Sequence, residues 1–120
     1  MTKKLTFNMI RLGGETQAVQ YYPIIFMRGT RVWRLALHRE PILAGKGDWI
    51  VSDPVSGSRV CRITASWKGV PVSSKDLTVT QARGAALADL DLTVDRIGLD
   101  RFAQVLDAAQ NPKPAHPLHP

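Results

Sequence analysis

The spacing of apolar residues changes once along the chain, and this change constrains the fold more than any other feature. Before residue 66, segments rich in apolar and β-branched residues alternate loosely, most clearly at 31–39, with the period of a β-strand. After residue 80 apolar residues recur at every third or fourth position, which is the period of an α-helix. Strands followed by helices predict an α+β fold: a curved antiparallel β-sheet of about four to five strands, followed by two C-terminal helices packed on one face. A small half-open barrel with a helical appendage is the alternative architecture.

Turn residues separate the segments that are predicted to form the sheet. Pro23 lacks an amide donor, so its strand lies at an edge or is broken there. The Asp-Pro opening and late glycine of 53–58 fit a hairpin loop. Lys68-Gly69 and Pro71 are expected to end the sheet. The predicted segments are 4–12, 18–27, 31–39 and a hairpin over 49–66.

The segment 31–39 is expected to have two different faces. One face begins at Trp33, includes every second residue and is apolar. The opposite face, from Arg34 to His38, can carry charge and solvent. The expected core combines strand and helix residues: Trp33, Leu35, Leu37, Trp49, Val51, Ile63, Leu90, Phe102 and Leu106.

Two helices and a tail are predicted in the last third of the chain. Thr80 is the expected N-cap of the first helix, and Asp100 lies in the first turn of the second, where the helix dipole favours an acid. Asn111-Pro112 ends that helix. Residues 1–111 are therefore expected to form a single α+β domain, and 112–120 a Pro-rich flexible tail.

Composition excludes several classes of protein. The single cysteine, Cys61, excludes an intramolecular disulfide and any multi-cysteine metal site. The chain has no apolar run near the roughly 20 residues that a membrane span needs, and its first eight residues lack the apolar region of a signal peptide. We expect a cytoplasmic protein that does not enter a membrane and needs no cofactor or metal.

Charge is unevenly distributed along the chain. Residues 1–68 carry eleven basic and four acidic side chains, a net charge of +7, whereas residues 69–120 carry five basic and six acidic ones, a net charge of −1. The basic half also contains all three tryptophans. A basic surface with aromatic rings among its charges favours a polyanionic partner, either nucleic acid or the acidic surface of a nucleoprotein or host protein.

The residues expected to bind that partner lie mainly in the predicted strands. Arginine offers a planar fork for phosphate, and an aromatic ring offers a face for a base. Strand alternation places Arg34 and Arg62 away from the Trp33 side, so they are expected to matter more than Arg96 and Arg101, which lie among aspartates. A solvated sheet face is the alternative interpretation. The predicted binding residues are Arg28, Arg31, Arg34, Arg39, Arg59, Arg62, Lys68 and Tyr22.

No catalytic constellation is predicted. Cys61 would need a histidine nearby and an electropositive setting to act as a nucleophile, and burial in a strand is the favoured interpretation. His116 and His119 are three residues apart, but the prolines around them oppose the helix that would place them on one face. We therefore expect a protein that is not an enzyme, and a small hydrolase is the least favoured function.

The sequence 49–57, led by Trp49, and the later segment 80–85, led by Thr80, resemble small α+β proteins carried by bacterial phages and conjugative elements. No single family is assigned from this resemblance. It implies a non-enzymatic protein of a mobile element. The first hypothesis is thus a small basic module that docks on nucleic acid or a nucleoprotein complex. The second is a phage-type inhibitor, similar to an anti-CRISPR protein, that occludes the nucleic-acid-binding site of a host effector.

Overall fold

The fold is α+β, as the change of period predicts, with seven strands and two helices among the described residues. The structure is a computed structural model that describes residues 5–10, 13–41 and 46–110, except for the side chains of 109 and 110. The strands are β1 (Leu5–Ile10), β2 (Thr16–Arg28), β3 (Arg31–Arg39), β4 (Trp49–Ser52), β5 (Arg59–Arg62), β6 (Thr64–Trp67) and β7 (Val70–Ser73). The helices are α1 (Val79–Ile97) and α2 (Leu99–Gln110).

The first five strands form one antiparallel sheet in the order β1-β2-β3-β4-β5. β2 is long enough to pair twice: its first half, up to Tyr21, pairs with β1, and its second half, from Tyr22, pairs with β3. Pro23 does not break this strand; it lies opposite Ala36, beyond the last described pair of β1. At Pro23, β2 is therefore an edge strand with respect to the described part of β1. An edge is where a residue without an amide donor is tolerated.

The main sheet curls until its first strand reaches the loop between β4 and β5. The amide of Ile10 donates a hydrogen bond to the carbonyl of Gly57, with an N···O distance of 3.0 Å. Gly57 has a φ of +80°, and a Cβ at this position would collide with the carbonyl oxygen of Asn8. A glycine is thus required both by the turn and by the close approach of the two backbones. No ladder joins β1 to β5 among the described residues, so the sheet is curved but open.

The main core lies between one face of the sheet and the two helices. Phe102 of α2 contacts the rings of Phe26 and Trp33, with centroid distances of 5.5 and 5.1 Å. All nine residues of the predicted core are buried in this cluster. Ala82, Ala86, Leu90 and Val94 form the buried stripe of α1.

A second, smaller core lies on the opposite face of β3, where solvent was expected. Ala36 and His38 are buried there, beneath Phe7 of β1 and Val19 of β2. The expectation of an open face is wrong at these two positions, because the curl of β1 and β2 covers them. Arg34, nearer the β2–β3 turn, is exposed.

The predicted strand 59–66 is divided at Ile63. Ile63 is buried, and after it the chain leaves the main sheet and forms a separate hairpin of β6 and β7. The prediction that Lys68-Gly69 and Pro71 end the sheet is therefore wrong. Lys68 and Gly69 have φ values of 51° and 80°, as the tight two-residue turn of a hairpin requires.

The N-cap of the first helix lies two residues before the predicted one. Thr78 is the N-cap: its hydroxyl accepts from the amide of Gln81 at 3.2 Å, and the Gln81 side chain accepts from the amide of Thr78 at 2.9 Å. This reciprocal capping box satisfies two amides that the helix leaves unpaired. Gly98, with a φ of 91°, separates α1 from α2.

The predicted tail 112–120, with His116 and His119, lies outside the described residues. Within the described part, no helix is both long enough and apolar enough to cross a membrane.

Candidate partner-binding surfaces

Arg28 and Arg31, at the β2–β3 turn, bind acids of the helices. Arg28 pairs with Asp91 at 3.0 Å and with Asp95 at 2.5 Å, both on α1. These hydrogen bonds, first to Asp95 and then to Asp91, raise the pKa of Arg28. Arg31 pairs with Asp107 of α2 at 2.8 Å. Two of the predicted binding residues thus connect the turn to the helices.

Arg59 and Arg62, on β5, bind acids close to them in the sheet. Both pair with Glu40, at 2.8 and 3.0 Å, and Arg62 also pairs with Asp48 at 3.1 Å. They line an open cleft of about 760 Å³ that extends to Ile10 of β1. The positive charge on this wall of the cleft is matched by the carboxylates.

These ion pairs change where the excess charge of the chain lies. Four arginines bind five acids, so the paired cluster has a net charge of −1. Lys3, Lys4, Arg11 and Lys113 lie outside the described residues and carry +4. The other eight basic and five acidic side chains of the described residues carry +3. The excess therefore lies outside the arginine pairs that dominate the predicted binding surface.

Arg39 brings basic residues from two distant segments together. Its guanidinium lies 4.2 Å from the centroid of the Trp49 ring and donates to the carbonyls of Gly47, at 3.2 Å, and Lys75, at 2.7 Å. Lys46 adjoins Gly47 in sequence, so Lys46 and Lys75 flank Arg39 at the base of the β6–β7 hairpin. Both lysines are exposed.

Trp67 and Lys68 lie at the tip of the same hairpin. The Lys68 ammonium is 5.6 Å from the centroid of the Trp67 ring, and 66% of Trp67 is exposed. We define the hairpin platform as Arg39, Lys46, Lys68 and Lys75 together with Trp67. Its four cations face one exposed acid nearby in sequence, Asp76, which leaves a local net charge of +3.

Arg34 and Tyr22 are the two remaining predicted residues on the main sheet, and Arg34 is separated from Arg62. In the sheet, Ile50 pairs with both Arg62 and His38, so Arg62 lies two strands away from His38. His38 is four residues from Arg34, or about 13 Å along the strand. The two arginines share a side of the sheet, but the covered segment of β3 lies between them. Tyr22 lies on the helix side, with its ring 6.2 Å from that of Trp49.

An exposed apolar face lies on the second half of β2 and its partner β3. Met27 lies opposite Val32 and Ile25 lies opposite Arg34 in the ladder. Ile25, Met27 and Val32 are each more than half exposed. We call Ile25, Met27 and Val32 the arm face. Exposed apolar patches on the order of a few hundred Å² are often functional in monomers.

Cys61 and His38, the cysteine and the histidine of the described residues, are in settings that oppose catalysis. Burial, assisted by the charge of Asp89, raises the pKa of Cys61 to about 11, which opposes thiolate formation. Burial lowers the pKa of His38, whose Nε2 lies 2.8 Å from the Ser52 hydroxyl. The described residues include no group of three or more His, Cys, Asp or Glu that could hold a metal ion.

Sequence reasoning placed Arg39 and Lys68 among the binding residues but missed Trp67. The signal was present, because Ala65, Trp67, Val70 and Val72 alternate on both sides of a Lys-Gly turn.

Comparison of the chain with protein-family models, curated proteins and solved structures finds no match.

Proposed function

We propose that the protein is a non-enzymatic binding module that docks on nucleic acid or on a nucleoprotein complex through the hairpin platform. The observation that carries the proposal is the location of the excess charge. The paired arginines sum to −1 with their acids, whereas the platform places four cations around the base and tip of one hairpin.

The platform offers both components that a nucleic acid requires. Cations neutralise phosphates and release condensed counterions, which supplies most of the sequence-independent affinity. Exposed aromatic rings add stacking with bases. Among the described aromatic side chains, only Trp67 and Tyr22 are exposed, and Trp67 is the more exposed of the two.

A salt titration tests the proposal directly. Labelled single-stranded and duplex oligonucleotides are titrated with the protein at increasing salt, and the logarithm of the affinity is plotted against the logarithm of the salt concentration. We expect measurable binding at low salt and a linear fall, with a slope of about −0.7 per neutralised phosphate for a single strand. The absence of binding to DNA and RNA at low salt would overturn the proposal.

The second candidate function is occlusion of a host protein, as in a phage-type inhibitor, and the arm face favours it. Aliphatic side chains exposed on a sheet make a surface that a protein can cover, and they offer little to a phosphate backbone. The discriminating experiment is a pull-down from bacterial lysate with and without nuclease. Nuclease-sensitive recovery favours nucleic-acid docking. Occlusion is favoured if a host protein is still recovered after nuclease treatment and is no longer recovered with the double variant Met27→Ser with Val32→Ser.

A further inference from the structure

The β6–β7 hairpin has one apolar face that becomes more exposed from its base to its tip. Ala65 lies opposite Val72, and Trp67 lies opposite Val70, so these four side chains share a face. Val72 near the base is 38% exposed, Val70 is 58% exposed and Trp67 is 66% exposed. The largest apolar side chain of the hairpin is therefore its most accessible one.

The base of the hairpin is anchored, and its tip has a defined conformation. The Ser73 hydroxyl, on the opposite face, donates to the Asp48 carboxylate, which in turn accepts from Arg62. At the tip, Lys68 adopts a φ of 51°, in a region that non-glycine residues rarely occupy. This turn holds the lysine ammonium over the indole, so that a cation and an aromatic surface are presented together.

We propose that Trp67 and Lys68 form a stacking site for an unpaired base of a single-stranded nucleic acid, an inference that rests on the proposed function. The indole stacks on the base, and the Lys68 ammonium neutralises the adjacent phosphate. Every base has a flat π surface, so this contact is tolerant of sequence. In a duplex both faces of each base are already stacked, and exposing one costs a few kcal/mol. The site therefore selects single strands over duplexes.

The charges around the hairpin are placed where a strand with a phosphate backbone can follow them. Arg39, Lys46 and Lys75 lie at the base, about 10 Å from the tip for a strand of this length. Basic side chains thus extend from the base to the tip along one hairpin, as a strand that passes the tryptophan with its phosphates requires.

Tryptophan fluorescence provides a readout specific to this site. Trp33 and Trp49 are each 2% exposed, so an added oligonucleotide can stack only on Trp67 among the three tryptophans. An oligothymidylate of about 15 nucleotides, within the site sizes of single-strand binders, serves as the probe. We expect it to quench the emission of the wild type and not that of Trp67→Phe.

Affinity for the same probe is then measured for three variants. Trp67→Ala should weaken binding about 5- to 150-fold, which corresponds to the loss of one stacked base. Trp67→Phe keeps a ring and should lose less. Leu92→Ala is the matched control, because Leu92 is 65% exposed on α1, and its affinity should equal that of the wild type. Trp67→Ala should also leave the salt slope unchanged, since an indole neutralises no phosphate.

The outcomes separate this inference from the proposed function. Loss of affinity for the single strand on Trp67→Ala, with quenching in the wild type, supports the site. If the wild type binds single strand and duplex equally and Trp67→Ala retains both affinities, the module binds nucleic acid elsewhere and the stacking site is overturned. If the wild type binds neither, the proposed function fails first. A blue shift of Trp67 with vesicles of phosphatidylserine, without quenching by the oligonucleotide, would assign the tip to a lipid surface and overturn the inference.

Discussion

Phe102 packs α2 against the sheet. Its ring meets those of Phe26 and Trp33 edge-on, and it is buried. Phe102→Ala removes this ring and leaves a cavity, so the free energy of unfolding should fall by about 3–5 kcal/mol. Denaturant titration measures the change through the midpoint at constant slope. Val105→Ala, on the exposed side of the same helix, is the control, and an equal loss in both variants would mean that α2 is not packed as described.

His38 should make stability depend on pH. Its pKa is lowered, first because burial disfavours the charged ring and also because the charge of Arg59 does so. The neutral ring donates from Nδ1 to the carbonyl of Arg39 at 2.9 Å and accepts at Nε2 from Ser52. The unfolded chain takes up a proton near pH 6.5, whereas the folded one resists it. Stability is therefore complete above about pH 6.5 and falls as the pH drops toward the lower folded-state pKa, by up to about 1.4 kcal/mol per pH unit.

The measurement compares the free energy of unfolding of the wild type and of His38→Gln between about pH 7.5 and pH 5. The two curves should run parallel above pH 6.5, and the wild type should fall more steeply below it. The same slope in both proteins would exclude His38 as the titrating group. Carboxylates titrate in both proteins, so their effect cancels in the difference.

At the scale of single residues, the sequence was sufficient for the core and insufficient for His38. Trp33, Phe102 and their neighbours are large and apolar and recur at the period of their element, so burial follows from local pattern alone. His38 also alternates with apolar residues, which predicts exposure on the opposite face. Its burial depends on Phe7, thirty-one residues earlier in the chain, and no local period reports that contact.

The start of α1 distinguishes two threonines that sequence preferences alone do not separate. Thr78 makes both hydrogen bonds of the capping box with Gln81, whereas Thr80 lies inside the helix. Thr78→Ala should lower the free energy of unfolding by about 1 kcal/mol, within a range of 0.5–2 kcal/mol. Thr80→Ala should change it by less than about 0.5 kcal/mol, as exposed substitutions usually do. The reverse order in thermal or chemical denaturation would contradict the assigned cap.

Strand and helix positions were largely predictable, and the exceptions have identifiable causes. β3 and the loop 53–58 were predicted at their observed positions, because alternation and turn residues agree there. The cap was predicted at Thr80 from the apolar stripe that follows it, although the sequence also has the Thr-x-x-Gln spacing of a capping box at Thr78. At Ile63 the alternation of apolar and polar residues continues while the chain passes from the main sheet to the β6–β7 hairpin. The spacing of apolar residues therefore does not show where the strand ends.

At the scale of the whole molecule, tertiary contacts determine which charges remain available to a partner. The sequence locates an excess of basic residues in the first half of the chain, but the acids that compensate four of the arginines come from α1, α2 and the segment between β3 and β4. Three aspartates on the helices that carry Arg96 and Arg101 bind Arg28 and Arg31 across the fold. The net charge of a surface predicted from strand alternation therefore depends also on the acids that the helices place against it.

The location of charge, separate from its amount, can be tested with two double variants. One variant combines Lys68→Gln with Lys75→Gln, and the other combines Arg28→Gln with Arg31→Gln. Each variant removes two positive charges from a chain of net charge +6. The first pair belongs to the hairpin platform, whereas the second is compensated by Asp91, Asp95 and Asp107. Distant charges are screened beyond about 8 Å at physiological ionic strength, so the second pair acts only weakly at the platform.

We expect the lysine variant to lose affinity for a single-stranded oligonucleotide and to reduce its salt slope by about 1.4, because two phosphate contacts of about 0.7 each disappear. The arginine variant should keep the wild-type slope. Melting temperatures of both variants show whether each remains folded, and the slopes are compared only between folded proteins. Equal slopes in the two variants, both below that of the wild type, would mean that net charge alone governs binding. A larger fall in the arginine variant would place the interface at the β2–β3 turn, where Arg28 and Arg31 would have to exchange their aspartates for phosphates.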